Sequence, residues 1–487
     1  MRRRQMIVLL ALGATAALLS VGAQAPQPRT GARRPQPPRI QGPLVRIPSA
    51  VAGEEGIVIR VVPPKQPRYK EGAPVVIHVP GGFSTGSLDR SQGRLDGFGF
   101  CEVLFAFPGG RSAPQADGKV WKSGGVYDQR GENCIRALAD IMAFAQGRLR
   151  TLDGKTIQQV AGSVPLLKNN VGIVGWSLGG NIVPAALASS RQAASGMAWY
   201  VSHESPYGDG VINGEFGTRN TGPNPFYDPD TGKLDLTHLR YDPGLAPGRF
   251  PRLQGPPVNI TGCLYLDGNG NGRFDRGADF QLNGVIVPGP PPNVFYSRLV
   301  ITEAARRKLF GDQWPAHIAK LDQVRKFLDI RDGETQVPQA VKNDPELAVI
   351  IWANERDHVQ ATPDHRHILI QYNAFLDAGV RWARINPDPH YLEWVMGKKL
   401  PRLIENPAGK RFDRQTIRSI VTPTPEQGGP VTMQGVDAAA CELADRTQKG
   451  EWSATLSNVL YPGAPRLNLA RSPRPPAPRP NPPQRRR

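Results

Sequence analysis

From residue 57 onward, short apolar runs alternate with stretches of helical periodicity, and this alternation constrains the fold more than any other feature of the sequence. Alternation of this kind is typical of a mostly parallel sheet that is covered by helices on both faces. The sequence therefore predicts a doubly wound α/β fold. Its predicted strands are Ile57–Val62, Pro74–Val79, Cys101–Phe107, Val171–Val174, Met197–Val201, Leu347–Trp352 and Val380–Ile385.

The alternation stops after Val201 and resumes at Leu347. A gap of about 145 residues is too long for a simple connection in a compact domain. We expect a cap insertion over residues 206–340, with a β-rich part rich in Gly, Pro and Asp followed by a helical part. The core then comprises residues 51–205 and 341–461, and the second of these includes a packed C-terminal extension.

Both ends of the chain differ in composition from its body. Residues 1–23 have the positive, apolar, small-residue order of an export signal, and the apolar run is shorter than the roughly 20 residues of a membrane span. We expect cleavage after Ala23. Arg3-Arg4-Gln5-Met6-Ile7 is also similar to a twin-arginine signal, which implies export in the folded state. Residues 24–50 and 462–487 are rich in Pro and Arg and are predicted to be disordered.

The formal net charge of +18 comes mostly from the signal and these two arms, so the predicted folded body is close to neutral. Cationic arms on an exported protein are suited to non-specific contact with an anionic envelope, which salt would screen. Solvated arms without a dedicated partner are equally compatible with this composition. No aromatic residues interleave with the arginines, which argues against nucleic-acid binding.

The four cysteines are widely spaced and lack the paired spacing of a zinc site. In an oxidising compartment two of them could form a disulfide. Cys101 and Cys134 are plausible partners because one lies on a predicted strand and the other on the helix expected to pack against it. The sequence does not fix the connectivity of Cys101, Cys134, Cys263 and Cys441.

Glycines flank one serine at the spacing of a sharp strand-to-helix turn, in Gly175-Trp176-Ser177-Leu178-Gly179. An ordinary turn that happens to carry a serine is the alternative, but a buried-strand pattern precedes this segment and a helical pattern follows it. At this point the sequence resembles the α/β-hydrolase superfamily over about residues 56–400, apart from the insertion. The resemblance implies that Ser177 is a nucleophile.

In that superfamily the acid and the histidine of the triad follow the serine in the chain. Asp357, after the strand Leu347–Trp352, matches the acid position, and His390, in the loop after the last strand, matches the base. Other residues nearby could take these roles. The alternatives are Glu355 and Asp388 for the acid, and His358, His365 and His367 for the base.

Backbone amides are expected to hold the negative charge that develops on the carbonyl oxygen of the substrate. One is the amide of Leu178, and the other comes from Gly82 or Phe83 in a loop that resembles the family's His-Gly-Gly loop, with Pro80 in place of the histidine. Residues around the end of the next strand either border the pocket or pack the strand end. They are Trp199, Tyr200, His203, Glu204 and Tyr207.

The segment 267–279 of the insertion has side-chain oxygens at every second position and resembles the calcium loop of EF-hand and dockerin proteins. It departs from them at the twelfth position, where Ala278 replaces the bidentate acid. Its flanks read as strands, so we expect a β-turn held by a structural calcium ion, with an Asx-rich turn without an ion as the alternative. The candidate ligands are Asp267, Asn269, Asn271, the Arg273 carbonyl, Asp275 and Asp279.

The resemblance implies a serine hydrolase that needs no cofactor for catalysis and acts on a small-molecule ester or a peptide. No propeller-like repeats precede the core, which favours an esterase over a peptidase of the prolyl-oligopeptidase type. A non-catalytic protein that binds envelope polymer on a hydrolase scaffold, and acyl transfer on the same fold, remain alternatives because fold does not dictate function.

Overall fold

The computed structural model describes residues 41–89, 95–218, 221–246, 260–287, 293–402, 406–455 and 458–463. The predicted export signal, most of the N-terminal arm and nearly all of the C-terminal arm lie outside these ranges. Among the described residues, no helix has the length and apolar character that crossing a membrane requires.

Eight strands form one sheet in the order β1-β2-β4-β3-β5-β6-β7-β8. β1 pairs with β2, and β2 with β4, in antiparallel fashion, whereas all other pairs are parallel. The predicted mostly parallel sheet is thus confirmed. The strands are β1 Leu44–Ser49, β2 Gly53–Val62, β3 Ala73–Val79, β4 Cys101–Phe105, β5 Leu166–Trp176, β6 Trp199–His203, β7 Ala348–Trp352 and β8 Trp382–Ile385.

The edge strand β1 lies within residues 24–50, which the sequence predicts to be disordered. Its backbone pairs with β2 from Leu44 to Ser49, and the Ile47 side chain is fully buried in the core. The Arg46 guanidinium donates to the carbonyls of Glu55 and Lys122. The prediction is wrong for this segment because a short apolar strand can order a Pro- and Arg-rich stretch once a neighbouring strand supplies its hydrogen bonds.

Helices cover both faces of the sheet, as a doubly wound fold requires. One face packs on α1, α3, α7 and α8, and the other on α9 and α11. Three short 3-10 helices span Leu95–Phe98, Gly210–Glu215 and Pro425–Gln427. The α-helices are α1 Glu132–Ala145, α2 Ile157–Ala161, α3 Leu178–Ser189, α4 Arg191–Ala194, α5 Arg298–Arg306, α6 Leu321–Arg331, α7 Gly333–Asn343, α8 Arg366–Asp377, α9 Pro389–Met396, α10 Ile417–Ile420 and α11 Thr432–Lys449.

The insertion between β6 and β7 is β-rich first and helical afterwards, as predicted. Its own hydrophobic cluster includes Leu264, Val300 and Leu328, and the side chains of Leu178 and Phe83 from the sheet edge pack into the same cluster. The insertion therefore lies over the turn after β5. Its antiparallel strands are Gly217–Thr218, Gly222–Pro223, Tyr227–Asp228, Lys233–Leu234, Leu239–Asp242, Cys263–Leu266, Phe280–Gln281, Val285–Val287 and Asn293–Phe295.

One carboxylate joins the start of the insertion to its end. Asp332 accepts hydrogen bonds from the amides of Gly208 (3.1 Å) and Asp209 (3.2 Å), residues that precede it by more than a hundred positions. It also caps α7 by accepting from the Glu334 amide. Because α7 packs on the core helix α3, the core resumes at residue 333 and not at the predicted 341. We call this clasp the neck of the insertion.

The two remaining predictions about the core have different outcomes. The C-terminal extension is packed as expected, since α11 lies against β5, β6 and β7. Cys101 begins β4 and Cys134 lies in α1, but all four cysteines are free and buried, so the disulfide considered for this pair is not formed. Burial raises the pKa of the Cys134 thiol to about 12.

Candidate active site

Ser177 occupies a sharp turn between the end of β5 and the first residue of α3, with φ +50° and ψ −126°. Its amide donates to the carbonyl of His203 on β6 (2.8 Å), and its carbonyl accepts from the amide of Gly180 (2.7 Å). A residue with a Cβ occupies positive φ only at a cost in free energy. The surrounding structure therefore holds a half-buried serine in strained backbone at the carboxyl edge of the sheet.

The two flanking glycines are required by close backbone approaches. A Cβ on Gly175 would lie 2.5 Å from the Cα of Gly180, and a Cβ on Gly179 would lie 2.5 Å from the carbonyl oxygen of Pro80. Both distances are well inside van der Waals contact. The glycine spacing in the sequence thus corresponds to a real steric constraint at this turn.

The loop predicted to supply an oxyanion amide lies beside Ser177. A Cβ on Gly81 would be 3.3 Å from the Cβ of Ser177. The buried Arg130 donates to the carbonyls of Pro80 (2.7 Å) and Gly82 (3.2 Å), which fixes the path of the loop. Gly82, Phe83 and Leu178, whose amides are the predicted donors, all lie in or next to these two turns.

The predicted pairing of Asp357 with His390 is not formed. The Asp357 carboxylate accepts instead from Nε2 of His367 (2.9 Å) and from the amides of Val359 and Gln360. Asp357 and His367 are fully buried, and the second ring nitrogen of His367 contacts the Gln360 side chain. Burial alone would raise the pKa of Asp357, but the adjacent His367 holds it below its usual range. Both polar groups are thus committed to closing the turn before α8.

His390 pairs with Asp388, one of the alternative acids. Asp388 caps α9 and accepts from both the amide and Nδ1 of His390, each at 2.9 Å. This pairing follows from local geometry, because a helix-capping carboxylate lies close to the residue two positions later. The His390 side chain is 42% exposed, and its Nε2 makes no hydrogen bond within the described part of the chain.

A second histidine–carboxylate pair lies next to Ser177. Glu204 follows the β6 residue whose carbonyl binds the Ser177 amide, and its carboxylate contacts both Nδ1 and the amide of His358. The His358 side chain is 42% exposed. Burial lowers the pKa of His358, but its hydrogen bond to Glu204 and the charge of Glu204 outweigh this effect and raise the pKa. The Nε2 atom of His358 has no hydrogen-bond partner among the described residues.

The sheet order separates these two pairs. Glu204 follows β6, the neighbour of β5, whereas Asp388 and His390 follow β8, which is three strands away from β5. Within the described residues, neither histidine is hydrogen-bonded to Ser177 Oγ. The sequence placed His203 and Glu204 at the pocket border but gave them no role. Polar residues directly after a parallel strand that neighbours the serine strand are the signal that could have found them.

His203, Glu204 and His358 form a cluster in which one ligand atom of each lies within 4.8 Å of the others. The His203 ring lies between the rings of Trp176 (4.9 Å between centroids) and His358 (5.1 Å). Burial lowers the pKa of His203 well below its usual value, so its ring is neutral. Two neutral or near-neutral imidazoles and a carboxylate are chemically able to hold a metal ion.

The acidic loop of the insertion has strands on both flanks, as predicted. The Asn269 and Asn271 side chains both donate to one oxygen of Asp275. Asp267 accepts from the amides of Gly270 and Gly272, and Asp279 accepts from those of Gly268 and Asp275. Three of the predicted ligand side chains therefore converge, while Asp267 and Asp279 are bonded to the backbone.

No protein-family model and no curated protein matches the chain. Solved structures do match, each with a low TM-score. Carboxyl esterase 2 from Tuber melanosporum is 11% identical over 73% of this chain and 78% of that protein, with a TM-score of 0.33. The α/β hydrolase GrgF from Penicillium sp. sh18 is 14% identical over 69% and 85%, with a TM-score of 0.29. For a prolyl endopeptidase the match covers 34% of this chain and only 21% of that protein, at 17% identity and a TM-score of 0.24.

The fold assignment draws on the strand order and on the turn that carries Ser177. A mostly parallel eight-stranded sheet has helices on both faces, and a strained serine connects its β5 to α3. A large insertion follows β6 and covers this turn. The chain has the α/β-hydrolase fold.

Proposed function

We propose that this chain is an exported serine hydrolase that cleaves a carboxylic ester or an amide through an acyl-enzyme on Ser177. The observation that carries the proposal is the backbone of Ser177, which is strained at φ +50° between β5 and α3. Strain of this kind persists where the surrounding structure enforces it, and it clusters at functional sites. A turn without a catalytic role could use glycine at this position.

The proposed reaction proceeds by nucleophilic catalysis. Ser177 Oγ attacks the substrate carbonyl while a histidine Nε2 accepts the serine proton. The amide of Leu178, together with that of Gly82 or Phe83, stabilises the oxyanion. The histidine then donates the proton to the leaving alcohol or amine, and water attacks the acyl-enzyme by the same route to release the acid. No step requires a cofactor.

We assign the base to His358 and its orienting acid to Glu204. The hydrogen bond between Ser177 and His203 supports this choice, because it brings the residue after β6 next to the nucleophile. In the Glu204–His358 pair the carboxylate contacts Nδ1 and leaves Nε2 available, as a base of this type requires. The predicted base His390, with Asp388 in place of Asp357, is the second candidate, since its Nδ1 is held in the same way.

Labelling with a fluorophosphonate tests the nucleophile. We expect the wild-type protein to gain one adduct, located by mass spectrometry on the peptide that contains Ser177, and Ser177→Ala to gain none. Ser189→Ala, at the exposed end of the same helix, is the matched control and should label like the wild type. A folded wild-type protein that stays unlabelled would contradict the proposal and favour a polymer-binding role on a hydrolase scaffold.

Hydrolysis of small esters distinguishes the two candidate bases. Loss of a general base typically lowers kcat by about 10²- to 10⁴-fold. We expect a loss in this range for His358→Ala, and a change of only a few-fold for His390→Ala. The reverse pattern would assign the base to His390. Parallel assays with peptides, and with an alcohol acceptor in place of water, test the peptidase and acyl-transfer alternatives.

The proposal includes a structural calcium ion in the loop 267–279. The convergence of Asn269 and Asn271 on Asp275 supports it, because amide oxygens and a carboxylate around one point are suited to calcium. We expect millimolar calcium to raise the melting temperature of the wild type but not of Asp275→Ala. An identical shift in both proteins would exclude this site.

Export and contact of the arms with the envelope are also part of the proposal, and composition supports both. The mature chain should begin at Gln24, which N-terminal mass spectrometry of exported protein can measure. Binding of the mature protein to anionic vesicles should disappear at high salt and on deletion of residues 464–487, because a non-specific interaction with arginine-rich arms is screened by ions.

A further inference from the structure

The cluster of His203, Glu204 and His358 has a composition that suits a transition-metal ion. The Nε2 atom of His203 lies 3.5 Å from Oε2 of Glu204, and Nδ1 of His358 contacts the same carboxylate. The ligand atoms of all three residues lie within 4.8 Å of one another. Imidazole and carboxylate ligands are those that zinc and its neighbours prefer, whereas calcium prefers oxygen alone.

A second, independent observation points to a missing ligand. Both ring nitrogens of His203 are buried, and neither has a hydrogen-bond partner in the described part of the chain. Buried polar groups in folded proteins nearly always have a partner, and the exceptions call for a specific explanation. The Nε2 atom of His203 is next to the Glu204 carboxylate. A cation between them would satisfy the orphaned nitrogen.

The spacing fits a tetrahedral ion after a small movement. Ligand atoms about 2.0 to 2.1 Å from zinc lie about 3.3 Å apart in a tetrahedral site. The His203–Glu204 separation of 3.5 Å is already close to this value. Only His358 must withdraw from its hydrogen bond to Glu204, and its 42% exposed side chain can do so more readily than the two buried ligands.

We propose that His203, Glu204 and His358 bind a zinc-type divalent cation at the carboxyl edge of the sheet, and that this cation inhibits the hydrolase. The inhibitory part depends on the proposed function, because it requires His358 to be the base. An imidazole that binds a metal through Nδ1 carries its proton on Nε2 and cannot accept another there. Zinc would also remove Glu204 as the orienting carboxylate. Bound zinc and the catalytic dyad are therefore mutually exclusive.

Metal binding can be measured without any activity. Chelator-treated wild-type protein and Ser177→Ala should each bind one zinc ion in competition with a chromophoric chelator, because Ser177 is not a ligand. His203→Ala and His358→Ala should each weaken binding by at least tenfold. His238→Ala, which changes an exposed histidine of the insertion, should bind like the wild type. Absence of stoichiometric binding by the wild type, or an equal loss in His238→Ala, would overturn the site.

The inhibitory role has a separate readout. We expect zinc at the concentration that fills the site to abolish ester hydrolysis by the wild type, and a chelator to restore it. His238→Ala should be inhibited at the same zinc concentration as the wild type. If zinc fills the site while an active enzyme keeps its rate, the inhibitory role is wrong and the metal site stands. If the protein labels at Ser177 but binds no zinc, only this inference fails.

Discussion

Glu215, at the end of the 3-10 helix Gly210–Glu215, is a buried acid whose ionisation should control the stability of the insertion. One oxygen accepts from the Ser297 amide (2.7 Å), and the other has no hydrogen-bond partner within the described residues. Burial raises the pKa of Glu215 to about 8, which the hydrogen bonds from Ser297 only partly oppose. The folded protein therefore keeps this carboxyl protonated at neutral pH.

The sign and size of the effect follow from linkage between protonation and folding. Between the usual value of 4.5 and about 8, the folded state holds a proton that the unfolded state has lost. The free energy of unfolding should therefore fall as pH rises through this window, by up to about 1.4 kcal/mol per pH unit and about 5 kcal/mol in total. Glu215→Gln cannot ionise, so its stability should lack this component.

Chemical denaturation at a series of pH values from 4 to 9 measures the prediction. The free energy of unfolding of Glu215→Gln minus that of the wild type should rise steadily with pH and level off near pH 8. Glu54→Gln, which changes an exposed glutamate on β2, is the matched control and should show no such trend. A difference between Glu215→Gln and the wild type that is constant across this range would refute the reasoning.

Three further substitutions test packing and positioning. Asp445→Asn should lower the free energy of unfolding by about 3 to 5 kcal/mol in urea titrations, because it leaves the buried Arg68 guanidinium without its counter-charge. Gly172→Ala should sharply reduce soluble yield and melting temperature, since its Cβ would lie 2.0 Å from the Trp199 ring. Gly81→Ala should slow fluorophosphonate labelling by about tenfold or more while largely preserving the melting temperature, because its Cβ displaces the loop next to Ser177.

The sheet and the serine turn could be predicted because their signals are local. Strand runs such as Leu347–Trp352 and the glycines around Ser177 report on neighbours within a few residues, and the structure confirms the strand–turn–helix order around Ser177. β1 escaped prediction because its stability comes from pairing with β2 and from the two carbonyls that bind Arg46. Composition alone cannot report on such partners.

The histidine–carboxylate pairs were harder to predict for the same reason. Asp388 and His390 are two positions apart, and Asp357 and His367 are ten apart, so the conformation of one short segment decides each pairing. Glu204 and His358 are 154 positions apart. They meet only because β6 and β7 are neighbours in the sheet and both residues lie beyond the carboxyl ends of these strands. No periodicity in the sequence encodes that contact.

The neck at Asp332 has a consequence for how proteins of this architecture can diversify. Because a single carboxylate joins Gly208 and Asp209 to the start of α7, the segment between them leaves the core and returns to it at one place. Insertions, deletions or replacement of that whole segment need not alter the strands or the turn at Ser177. The reactive scaffold and the covering module can thus evolve at independent rates, as interchangeable parts of one gene.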